Sequence, residues 1–155
     1  MKWYAGLLLL LCFKNLDATV LYAQTINSAG SLNFKCNGQL YAADSSHARA
    51  YALTQTGAAF IKAANTANIV LSVEWKGLKG PGVYVINSKE SKAEFTIDHK
   101  TYLLKQADDY IKIVITNVKH SGSFLLLSGT FEGQLQDKNG TKIKISEGKF
   151  STISL

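Results

Sequence analysis

The segment Leu125-Leu126-Leu127-Ser128-Gly129-Thr130-Phe131-Glu132-Gly133-Gln134-Leu135-Gln136 decides the fold class. Leu125, Leu127, Gly129, Phe131, Gly133 and Leu135 share one parity, and Ser128, Thr130, Glu132, Gln134 and Gln136 share the other. Successive side chains of a strand go to opposite faces, so this period of two describes a strand with one apolar and one wet face. Asp137-Lys138-Asn139-Gly140 turns the chain, and Thr141 to Ser151 returns as the next strand. Ile143 and Ile145 keep the apolar parity of that return strand. Continued in register, it would bury Glu147 and Lys149 and expose Phe150. Burying unpaired charges while exposing a phenylalanine is unfavourable, so the sequence predicts a β-bulge at Glu147-Gly148 that returns Phe150 to the core.

The same alternation extends upstream. Leu32, Phe34 and Cys36 share a face, and Asn37-Gly38 is a hairpin signal before Gln39 to Ala43. Ile69, Leu71, Val73 and Trp75 alternate with polar residues, and Gly77 to Gly82 breaks the chain. Val83 to Ile86, Ala93 to Ile97, Thr101 to Lys105 and Tyr110 to Val118 follow as strands, with a turn at Asp98-His99-Lys100. Asp44 to Ala67 is alanine-rich and offers helix caps at Asp44, Ser45 or Ser46, but Gly57 limits a helix to roughly two turns. Two strands, near Arg49 to Thr54 and Ala58 to Ala64, are favoured there over a short helix. Roughly nine to eleven short strands with regular turns predict an all-β antiparallel sandwich, with a closed lipocalin-like barrel as the alternative.

Length and composition agree. A chain of 155 residues suits one domain, and 46% apolar against 18% charged residues excludes general disorder. The net charge of +6 is carried by lysine, since Arg49 is the sole arginine. Planar, bidentate recognition of phosphates or guanine edges is arginine's work, so specific nucleic-acid binding is not expected. Scattered lysines instead keep strand edges from pairing between molecules.

Residues 1–23 read as a secretory signal: Lys2, then the run Leu7 to Leu11, then Ala23 at the cut. Residues 24–30 read as a flexible leader and residues 31–155 as a single β domain. Cys12 closes the leucine run as in a bacterial lipobox, although Leu11 stands where that motif wants a small residue. The expected location is therefore periplasmic, cell-surface or secreted, with a membrane link only through a lipid on Cys12. Cleavage leaves Cys36 without a cysteine partner, and its strand parity predicts a buried, inert thiol.

The motifs Asn37-Gly38, Ile115-Thr116, Ser128-Gly-Thr-Phe131 and Gly148-Lys-Phe150 recur in this order in one known group. On them the chain resembles small exported bacterial all-β proteins that constitute a domain of unknown function. The resemblance spans most of residues 31–151 and implies an exported, often lipid-anchored β domain. It brings no catalytic residues.

The search for chemistry gives no catalytic, cofactor-binding or metal-binding set. His47, His99 and His120 lack the local spacing of a metal site and read as exposed turn histidines. Asp108-Asp109 diverge on neighbouring positions and read as a polar turn before the strand from Tyr110. Glu74, Glu94 and Glu132 are the carboxylates that distant strands would have to gather for glycoside hydrolysis. Ser121-Gly122-Ser123 lacks the context of a nucleophile elbow, and Asn139-Gly140-Thr141 fits a glycosylation sequon but serves first as a turn. Tyr41, Tyr51, Tyr84, Tyr102 and Tyr110 would form a binding row if one sheet face exposed them together. The reading is a non-enzymatic, envelope-associated binding module for a protein, glycan or apolar ligand. Its alternatives are a barrel-type lipid carrier and a hydrolase with a site gathered from distant strands.

Overall fold

The computed structural model describes residues 28–154 except 68 and 90; the signal segment, Cys12 and residues 24–27 of the leader lie outside the described residues. Eleven antiparallel strands build the domain: β1 (Ser28–Cys36), β2 (Gln39–Ala42), β3 (Arg49–Leu53), β4 (Ala59–Ala64), β5 (Val70–Trp75), β6 (Gly82–Ile86), β7 (Lys92–Ile97), β8 (Lys100–Leu103), β9 (Tyr110–Ser121), β10 (Phe124–Gln136) and β11 (Lys142–Ser154). Strand β1 starts inside the segment read as a leader, because Ser28 to Gly30 pair with Ser154 to Thr152. The stretch from Asp44 to Ala67 forms the two favoured strands, with one 3-10 turn at Ser45–His47 before them.

The long strand β10 organises the whole. Phe124 to Leu126 pair with β3, and from Ser128 onward the same edge pairs with β11. The sheet therefore splits at β10 into two layers. One runs β2-β1-β11-β10-β9-β6 and the other β3-β4-β5-β7-β8, whose Leu103 meets Gln136 at the far end of β10. The fold is an antiparallel β-sandwich, the first of the two all-β arrangements expected from the alternating patterns and short turns.

The inner faces carry the residues of apolar parity. Leu32, Phe34, Phe131, Ile111, Ile113, Ile145 and Phe150 come from one layer, and Ile61, Leu71, Val73, Trp75 and Phe95 from the other; all are buried. Phe34 sits between the layers, its ring 5.3 Å from Phe95, 5.7 Å from Tyr41 and 5.8 Å from Phe131. Aromatic packing thus fills the middle of the sandwich. The alanines Ala50, Ala52, Ala59, Ala63 and Ala93 belong to the same buried cluster as these large rings, so the core combines big and small residues.

The bulge is present. Gly148 pairs with Phe131 and Ile145 with Gly133, so three steps of β11 answer two of β10, and Phe150 is buried. Within the bulge, Glu147 rather than Gly148 holds left-handed backbone, with φ 52°. Gly148 is required by space, because a Cβ there would lie 2.5 Å from both the ring and the carbonyl oxygen of Phe131.

Cys36 is buried and free, and burial pushes its thiol above the ordinary cysteine range. Labelling of the native protein with a bulky maleimide at neutral pH is expected to proceed only as fast as the domain opens, and full labelling within minutes would contradict this placement.

Candidate binding cleft

Three connections meet at one end of the sandwich. The first is the β7–β8 turn, where Asp98 (φ 48°) and His99 (φ 61°) both adopt left-handed backbone. Two such residues in succession give the twist that joins neighbouring strands tightly. The second is the segment from Leu104 to Asp109 that leads into β9. The third is the β10–β11 turn, Asp137 to Thr141, where Gly140 takes φ 83°.

Asp109 locks these parts together. Its side chain is 1% exposed, and its Oδ2 accepts from Lys105 N (2.9 Å), Gln106 N (2.8 Å) and Gln136 Nε2 (2.8 Å). The end of β10 is thereby tied to the turn that follows β8. Gln136, on the wet parity of its strand, is buried for this reason. Oδ1 of Asp109 is buried without a partner among the described residues. Replacing Asp109 by alanine leaves three donors unpaired while removing a buried charge. The expected net loss is about 2–4 kcal/mol in urea unfolding. A loss below about 1 kcal/mol would show that the carboxylate does not hold this end together.

Asp108, exposed in the turn before β9, pairs with the ammonium of Lys142. That hydrogen bond holds its carboxyl below the usual carboxylate range and raises Lys142 in return. Asp137 is likewise held low, chiefly by the Thr141 N–H on its Oδ1 (2.8 Å); Asn139 N–H donates to the same oxygen (2.8 Å), and Lys100 adds its charge. Both folded carboxyls are lowered, so their contribution is complete at neutral pH and disappears as pH falls through the lowered values, below about 4. The protection factors of the Asn139 and Thr141 amides, taken relative to intrinsic exchange at each pH, are expected to fall over that acid window and to be steady above pH 5. Protection unchanged down to pH 2 would contradict the assignment.

Between these turns lies an open cleft of about 550 Å³ lined by His99, Lys100, Thr101, Leu103, Lys105, Asp137, Lys138, Asn139 and Thr141. Three ammonium groups and an imidazole face one carboxylate, and that carboxylate already satisfies its own turn. Such a lining attracts anions and offers hydroxyl and amide groups to orient them.

The other residues singled out by sequence do not converge. His47 lies 4.0 Å from Asp44 on the 3-10 turn, and His120, expected in a connection, belongs to β9 opposite Leu125. Among the described residues no three His, Cys, Asp or Glu side chains gather for a metal. Glu74 and Glu94 stand diagonally on β5 and β7, whereas Glu132 is on β10, 3.4 Å from Lys112. The tyrosines are dispersed. Tyr102 is buried, Tyr41 stacks on Phe34, Tyr84 leans on Trp75, and Tyr51 stacks on Phe60 at 5.0 Å on the outer face. Sequence reasoning missed Lys100, Lys105 and Lys138 as a set, since they are spread over β8 and two connections that only the fold brings together.

No family model, curated protein or solved structure matches the chain.

Proposed function

We propose that the chain is an exported, non-enzymatic binding module that holds an anionic ligand in the cleft between the β7–β8 and β10–β11 turns. The reading is carried by one observation: Lys100, Lys105 and Lys138 line the cleft with His99, and its lone carboxylate, on Asp137, is engaged by backbone amides. Lysines present compact point charges, which hold a small, highly charged group such as phosphate by charge rather than by a planar fork. The cleft has room for a phosphate together with part of the sugar or other small molecule that bears it. Export rests on the signal-like residues 1–23 and on the resemblance to exported β domains.

The carrier reading is less favoured because Phe34 and its aromatic neighbours occupy the space that an enclosed apolar ligand would need. The test is retention of the protein on an array of matched phosphorylated, carboxylated and neutral sugars at low and physiological salt. Phosphorylated members should be retained best, and more weakly as salt rises. Equal retention of the neutral sugars would refute the proposal.

A further inference from the structure

Among the described residues, Asn37 (φ 49°), Asp98 (φ 48°), His99 (φ 61°) and Glu147 (φ 52°) hold left-handed backbone without being glycine. That conformation crowds a Cβ, so a side chain retained there calls for a reason. For Asn37 and Glu147 the reason lies inside the molecule. Asn37 Oδ1 accepts from Lys144 N (3.0 Å), and the Glu147 carboxylate pairs with Lys35 (2.8 Å). The side chains of Asp98 and His99 form no ion pair and no hydrogen bond among the described residues.

The chain makes this turn twice, which gives a comparison within one molecule. Asn37-Gly38 joins β1 to β2 between the paired residues Cys36 and Gln39, and Asp98-His99 joins β7 to β8 between Ile97 and Lys100. Each is a two-residue connection with both residues left-handed, and glycine is favoured at the second position. The first turn has Gly38 there, with open space around it, so conformation and not crowding by neighbours selects that glycine. The second turn has His99, whose imidazole lines the cleft with Lys100, Lys138 and Asn139. Strain is thus retained at the turn that faces the cleft, and the side chain it retains has no partner within the protein.

The chemistry of the lining divides the work. Ammonium groups only donate, which suits phosphate oxygens. A neutral imidazole donates from one nitrogen and accepts at the other, which suits a hydroxyl. The carboxylate of Asp137 is already engaged by its own turn. We propose that His99 is a specificity residue of the cleft: it binds a hydroxyl of the sugar or polyol that carries the phosphate, while Lys100, Lys105 and Lys138 hold the phosphate itself. This role rests on the phosphate reading of the cleft.

The test is calorimetric titration, at mildly alkaline pH, with methyl phosphate and with glucose 6-phosphate, two monoesters of equal charge. Wild-type protein should bind the sugar phosphate about fivefold more tightly. H99G and H99A should both lose that preference and keep their affinity for methyl phosphate within about twofold. H99G removes the strain and should raise the melting temperature by about 2–4 °C, whereas H99A, which keeps a Cβ, should not raise it. A wild type without preference, variants that keep it, variants that lose methyl phosphate equally, or no rise in melting temperature for H99G would overturn the proposal. Absence of methyl phosphate binding by the wild type would overturn the phosphate reading of the cleft, and the role of His99 with it.

Discussion

Gly129→Ala is expected to destabilise the domain by at least about 3 kcal/mol, beyond what most single substitutions cost. A Cβ on Gly129 would lie 2.0 Å from the carbonyl oxygen of Val114 and 3.0 Å from the Phe150 ring. The first neighbour is backbone of β9, which cannot swing aside as a side chain can. Between the pairs Leu127–Val118 and Glu132–Lys112, β9 runs one residue longer than β10, so it bends across the inner face of β10 at this point. Gly133 marks the same crossing, with a Cβ there 2.3 Å from the Tyr110 carbonyl oxygen. Both glycines are buried on the apolar parity of β10, where a large side chain would otherwise belong. Adding a methyl must push β9 away from the strand that organises both layers. Overpacking a core typically costs 1–3 kcal/mol, roughly, and displacing backbone adds to it. Urea denaturation of the alanine variant measures the effect, with Gly38→Ala as a comparison: that turn glycine has φ 86° and open space around it. The turn variant should lose about 1 kcal/mol from backbone strain alone. Equal losses in the two variants would mean that β9 does not press on β10 as described.

The second large effect is on binding. The triple variant K100Q/K105Q/K138Q should weaken binding of a phosphorylated ligand by about 10- to 150-fold at low salt. Each exposed lysine contributes about 0.5–1 kcal/mol to an anion, and the three act on the same group. Folding should be nearly unchanged, since none of the three ammonium groups forms a salt bridge among the described residues. Removing the unrelated surface charges Lys62 and Lys119 should change binding less than about threefold. If that control variant loses as much as the triple variant, the attraction belongs to the net charge of the protein rather than to the cleft.

How much the sequence disclosed follows from the range over which each residue acts. The two-residue alternation of Leu127 to Leu135 is local, and it identified the strand, its inner face and the partner strand across Asp137 to Gly140. The bulge at Glu147-Gly148 was legible because burial of Phe150 and exposure of Lys149 cannot both be met without an extra residue. The reason for Gly148 was not legible, because the Phe131 ring that excludes a side chain comes from another strand. Asp109 shows the same limit. Its neighbour Asp108 pairs with Lys142, 34 positions along the chain, and Asp109 itself binds Gln136 27 positions away. Nothing within a local window distinguishes a buried carboxylate from an exposed one. The cleft lysines are separated in the same way: Lys100 opens β8, Lys105 follows it, and Lys138 sits in the turn after β10. Their proximity is made by the single pairing of Leu103 with Gln136 and by the Asp109 bridge.

The most direct measurement is an amide-resolved NMR titration of the isotopically labelled protein with inorganic phosphate, and then with a sugar phosphate, at low salt. The account predicts saturable shifts of His99 to Thr101, Lys105 and Lys138 to Thr141, lost in K100Q/K105Q/K138Q. Linear, unsaturated shifts spread over all exposed lysines, or saturable shifts at another surface, would contradict it.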